Sequence, residues 1–135
     1  MGNFVLAVVV VVQRGASVLA MRRATQKDAG AGAWETIAGR VEVDEDPLAA
    51  AAREVREESG LEVRLDPRPV DAYTARRAGR PMGVVVYRAD WIAGEVRLSD
   101  EHDAHRWCSV DELAELTPFG RLAEAVRRAV AGARA

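Results

Sequence analysis

The stretch Gly39-Arg40-Val41-Glu42-Val43-Asp44-Glu45-Asp46-Pro47-Leu48-Ala49-Ala50-Ala51-Ala52-Arg53-Glu54-Val55-Arg56-Glu57-Glu58-Ser59-Gly60-Leu61 decides how the rest of this chain is read. Asp46 is a suitable N-cap, and Pro47 falls at the first helical position, where its missing N–H costs nothing. Alanines 49 to 52 favour a helix, and Gly60 can take the left-handed conformation that closes one. The pattern predicts a helix from Pro47 to Ser59. At about 100° per residue, Glu54, Glu57 and Glu58 fall within one arc. Leu48, Ala51, Ala52 and Val55 form the neighbouring apolar stripe, which should face the core. Arg53 and Arg56 are expected on the far side.

Carboxylates at this spacing are a poor structural choice. Like charges three and four residues apart destabilise a helix by roughly 0.2–0.5 kcal/mol per pair. They also sit near the C-terminus, where the helix dipole disfavours anions. A divalent cation removes both penalties, and magnesium prefers hard oxygen ligands of this kind. The plain alternative is a solvated acidic face partnered by Arg53 and Arg56. The glycine-bearing segment before the helix and Gly60-Leu61 after it weigh against that.

Gly39, Glu45, Arg53, Glu54, Val55, Glu57, Glu58, Gly60 and Leu61 together resemble the Nudix box: G, five residues, E, seven residues, R-E, an aliphatic residue, any residue, E-E, any residue, G, an aliphatic residue. Every fixed position is filled. The resemblance implies a single domain over residues 1–135, an α/β/α sandwich around a mixed sheet. It also implies a hydrolase that cleaves a nucleoside diphosphate linked to another group, with magnesium or manganese. On the same footing, Glu54, Glu57 and Glu58 are the implied metal ligands and Glu57 also a catalytic candidate. Arg53 is implied to position carboxylates rather than touch substrate. Gly39, Glu45 and Gly60 are structural: a backbone conformation that a side chain would forbid, an ion-pair partner within reach of Arg53, and a helix cap.

In such chemistry divalent ions neutralise phosphate charge and activate a water, while a general base removes its proton. Family members differ in which carboxylate is the base. Asp100-Glu101-His102-Asp103, shortly before Trp107, resembles the acidic loop that precedes a tryptophan strand in many relatives. Glu101 is therefore a candidate ligand or base, with an ordinary acidic turn as the plain alternative. His102 and His105 read first as exposed loop side chains and second as residues that orient that loop. Zinc is disfavoured, because the ligands are oxygen-rich and no Cys/His pattern is present.

Composition fits a small enzyme. The chain has 135 residues, 49% of them hydrophobic, and a net charge of -2. That length suits one core, and that charge gives no general pull toward nucleic acid or membrane. A lone Cys108 excludes an internal disulfide framework and reads as a small buried residue. The apolar run Phe4–Val12 is too short to span a bilayer and lacks a signal peptide's basic start, so a cytoplasmic protein is expected. Its valines point instead to a central strand.

Strands are predicted at Phe4–Gln13, Ser17–Arg23, Trp34–Ile37, Glu62–Leu65, Val70–Ala75, Met82–Ile92, Val96–Leu98 and Arg106–Ser109. Val84 to Tyr87 should be a buried strand centre. Asp111 can cap a short helix through Glu115, and Pro118 can open a final helix to Ala131.

Substrate recognition is thinly written. Arg22, Arg23 and Lys27 after the second strand, and Arg76, Arg77 and Arg80 around a turn, are candidates for phosphate contact, with surface solubility the competing account. Trp34, Tyr73 and Tyr87 read first as core and second as stacking partners for a base. Ile37-Ala38-Gly39 replaces the Pro-Gly-Gly of many relatives and resembles enzymes that split ADP-ribose and other nucleotide sugars. The compact length resembles enzymes that remove oxidised nucleoside triphosphates. Three functions remain: a pyrophosphohydrolase acting on a nucleoside diphosphate derivative, a nucleoside triphosphate pyrophosphatase that cleanses the pool, and a non-catalytic nucleotide sensor. The expected partner is a small nucleotide, with the protein a monomer or a homodimer.

Overall fold

A computed structural model of the chain describes residues 4–24 and 31–133. The valine run becomes β1, Val5–Arg14, and it is the axis of the molecule. It runs parallel to β7, Arg80–Ala93, from Val5 beside Met82 to Gln13 beside Asp90. A strand flanked this way buries both faces, which explains a continuous apolar run rather than an alternating one. Val8, Val10 and Val12 point to one side, with Leu19, Met21, Ile37, Ala50, Ala51, Val55 and Tyr87. Val9 and Val11 point to the other, with Val18, Val84, Val86, Leu113 and Val126.

β1 turns through Gly15, at φ 61°, into β2, Ser17–Arg23. Two short strands follow, β3 at Trp34–Glu35 against β2 and β4 at Ile37–Arg40 against β1. The expected single strand Trp34–Ile37 is thus split at Thr36, because its halves pair with different neighbours. Helix α1 spans Pro47–Ser59 and closes on Gly60 at φ 69°, as the sequence predicts. Asp46 holds the N-cap position, although its side chain makes no capping hydrogen bond.

β5, Glu62–Leu65, and β6, Asp71–Arg77, both pair antiparallel with β7. β8 spans His102–Cys108 and pairs with β2, so it starts well before the expected Arg106. Val96–Leu98 is irregular, not a strand. α2 covers Val110–Leu116 and is capped by Ser109, not Asp111. Ser109 forms a reciprocal capping box with Glu112, and that sets the earlier start. α3 runs Gly120–Gly132, beginning just past Pro118, and buries Leu122, Ala125, Val126, Ala129 and Val130.

The sheet is therefore mixed, with α1 against one face and α2 and α3 against the other: an α/β/α sandwich in one domain. No helix among the described residues is long and apolar enough to cross a membrane.

Candidate active site

The last turns of α1 lie against β4, and that contact builds the site. Glu54 and Glu58 face inward, while Glu57 is exposed. Glu58 is 1% exposed. Its Oε1 accepts weakly from the Ala38 N–H at 3.4 Å, and its Oε2 is buried with no partner. Burial first, then the Glu54 carboxylate, then Glu101 and Glu35 hold its proton far above the ordinary carboxylate range. An anionic Glu58 needs a cation there, since burying an unpaired charge is prohibitive.

Gly39 has an ordinary φ, so the expected backbone reason for glycine does not apply. The reason is space: a Cβ on Gly39 would overlap the Glu54 carboxylate. A Cβ there would displace the Glu54 carboxylate from its place against β4.

Arg53 is not on the far side of the helix. It reaches back over the preceding loop, donating through Nε to Glu45 Oε2 at 2.9 Å and through Nη2 to Glu45 Oε1 at 2.9 Å. Nη2 also meets the Arg40 carbonyl at 3.0 Å. Its Nη1 lies between Glu54 Oε2 at 3.1 Å and Glu57 Oε1 at 3.2 Å. Helical angle alone misplaces Arg53, because a long side chain follows its partners. With Arg53 so placed, no three acidic or histidine side chains among the described residues converge as a ready ligand set. The chemistry of the donors still fits a hard cation: two inward carboxylates, one of them with a bare buried oxygen, and a third carboxylate at Glu57.

His102 is buried, 4% exposed, and not an exposed loop side chain. Its Nε2 is 2.9 Å from Glu35 Oε2, and its unpartnered Nδ1 lies 3.9 Å from Glu58 Oε1. Glu35 also meets Arg23 Nη1 at 3.2 Å and Arg77 Nη2 at 3.6 Å. Nothing in the sequence singles out Glu35, and nothing there pairs it with His102. Their signal is position alone, one beside Trp34 and one beside Glu101. Glu101 is exposed at the edge of β8, its carbonyl accepting from the Ala24 N–H at 2.9 Å.

A cavity of about 340 Å³ opens beside this cluster, with Gly39, Ala38 and Glu35 in its wall. Arg76, Arg77 and Arg80 line it, together with Arg121 from α3. Tyr73, Met82, Val84 and Phe119 give it an apolar floor. Arg22 instead pairs with Asp103 at 2.7 Å, and Arg23 is tied to Glu35. Lys27 lies outside the described residues. Tyr87 is core, and Trp34 is packed between sheet and helix with Arg106 over its ring at 5.5 Å.

A family model for the NUDIX domain matches residues 3–129. This chain belongs to the Nudix family. It is 32% identical over 108 residues to the CTP pyrophosphohydrolase of Escherichia coli strain K12, covering 78% of this chain and 76% of that protein. It is 37% identical over 134 residues to an octanoyltransferase of Myxococcus xanthus, covering 93% of this chain but only 36% of that protein. The Nudix fold is matched in the MutT protein of Methanosarcina mazei Go1, with a TM-score of 0.84 at 20% identity, over 98% of this chain and 96% of that one.

Proposed function

We propose that this Nudix chain is a divalent-metal-dependent pyrophosphohydrolase that cleaves the diphosphate linkage of a nucleoside diphosphate derivative. The observation that carries the reading is the buried, unpartnered Glu58 oxygen beside Glu54, one wall away from an arginine-lined cavity. Glu54, Glu57 and Glu58 would hold magnesium or manganese, which when bound neutralises phosphate charge and acidifies water.

The protein's own groups do the rest. Arg53 fixes the directions of Glu45, Glu54 and Glu57. Arg76, Arg77 and Arg80 offer guanidinium groups to phosphate oxygens at the cavity. Water attacks one phosphorus, the bridging P–O bond breaks, and the proton passes to Glu57 or Glu101. Both carboxylates are exposed to the solvent from which that water comes.

A nucleoside triphosphate is the second reading. The kinship with a CTP pyrophosphohydrolase over three-quarters of that protein's length favours it. Turnover of a nucleotide panel with and without magnesium tests both, with Glu57→Gln and Glu58→Gln as controls. Metal-dependent turnover lost in the controls supports the reading. Nucleotide binding without turnover would make the chain a sensor.

A further inference from the structure

Arg121 enters the cavity from the first turn of α3, and it is held from two sides. Its Nη1 donates to Asp71 Oδ2 at 2.8 Å and its Nη2 to Asp71 Oδ1 at 3.0 Å. The guanidinium carbon stands 4.3 Å from the centroid of the Tyr73 ring. Asp71 in turn is braced by Arg128 Nη1 at 3.0 Å, and its side chain is only 5% exposed. An end-on pairing of this kind uses one proton from each Nη. It leaves the Nε–H and the second Nη2 proton side by side, and no hydrogen bond among the described residues engages that edge. A preorganised fork with a free edge recognises two adjacent acceptors.

The floor around it decides what those acceptors belong to. Met82, Val84 and Phe119 suit the faces of a flat base, whereas the polyphosphate belongs beside Gly39 and the glutamates. We propose that Arg121, positioned by Asp71 and Tyr73, is the specificity-determining residue of the cavity, selecting bases that present two adjacent acceptors. Guanine does so with O6 and N7, and cytosine with O2 and N3. Adenine sets an amino donor beside N7, and uracil has a donor between its carbonyls. Guanine and cytosine nucleotides are thus favoured over adenine and uracil ones. This rests on the reading of the cavity as the nucleotide site, but not on hydrolysis.

The test is calorimetric titration of the intact protein with GMP, CMP, AMP and UMP, without metal. The expected result is tighter binding of GMP and CMP, on the order of 10- to 100-fold, the discrimination of one bidentate contact. Arg121→Ala and Asp71→Asn should collapse that ratio toward one. Arg127→Ala, which removes an exposed partner of Asp111 away from the cavity, should keep the ratio. The proposal is overturned by equal affinities in the wild type, by tighter AMP binding, by no binding of any of the four, or by a ratio that survives Arg121→Ala. A parallel assay with magnesium separates the two readings. Base discrimination without turnover would sink the hydrolase and keep this selectivity. Turnover blind to the base would do the opposite.

Discussion

Arg53 holds both oxygens of the Glu45 carboxylate, each at 2.9 Å, from two turns into the helix that follows. The pair closes the loop between β4 and α1, and the same guanidinium spans Glu54 and Glu57. One cation thereby sets three carboxylate directions. A lysine in its place keeps the charge but loses the fork. Arg53→Lys should lower kcat about 10- to 100-fold, as loss of a group supporting ligands does. Steady-state kinetics check this.

The pairing also shows in acid. Hydrogen bonding from Arg53 holds the Glu45 carboxyl down to about 2 from an ordinary 4.5. A depressed acid stabilises the fold above its ordinary value and loses that contribution as pH falls through the lower one. The Arg53–Glu45 contribution should therefore be present above pH 4.5 and fade between 4.5 and about 2. Melting curves of wild type and Glu45→Gln should differ at neutral pH and converge in that window.

Gly39→Ala puts a methyl into the Glu54 carboxylate. Overpacking of this kind costs about 1–3 kcal/mol. The displacement falls on a proposed ligand, so turnover should need far more magnesium. A magnesium titration of activity alongside a melting curve checks both effects. Gly15→Ala, where a Cβ meets open space but φ is 61°, should lower stability without moving the magnesium requirement.

His102→Ala removes a buried partner of Glu35 and empties the space facing Glu58. Losing a hydrogen bond to a charged group costs about 1.5–3 kcal/mol. Arg23 and Arg77 remain to hold Glu35, so the fold should survive. Denaturant unfolding measures the loss, and the magnesium activation constant should rise with it.

Asp71 shows the same acid sign away from the glutamates. Arg121 first, then the Ala72 N–H, holds its carboxyl below the ordinary 3.8. Its contribution is present above that value and disappears as pH falls through the lower one. Asp71→Asn should cost about 1 kcal/mol at neutral pH, since both arginines are partly solvated. The cost should vanish in acid, and pH-dependent melting checks it.

Local signals carry a long way in this sequence. Pro47 and Gly60 bracket α1, and the valines of β1 announce a strand buried on both faces, because capping and burial act on neighbouring residues. Side-chain destinations are less legible. Helical angle assigns Arg53 to the wrong side, and loop composition assigns His102 to the surface. In each case the partner lies elsewhere: Glu45 in the loop before α1, and Glu35 on β3, which like β8 pairs with β2. Arg121 and Asp71, 50 residues apart, leave no pattern at all. Arg22 and Arg76 look alike in sequence, yet one meets Asp103 and the other lines the cavity.

An anomalous difference map from a crystal soaked in manganese probes the centre of this account most directly. A peak against the bare Glu58 oxygen and the Glu54 carboxylate is the expected result, lost in Glu58→Gln. No peak there, with Arg53 still between Glu54 and Glu57, would contradict it.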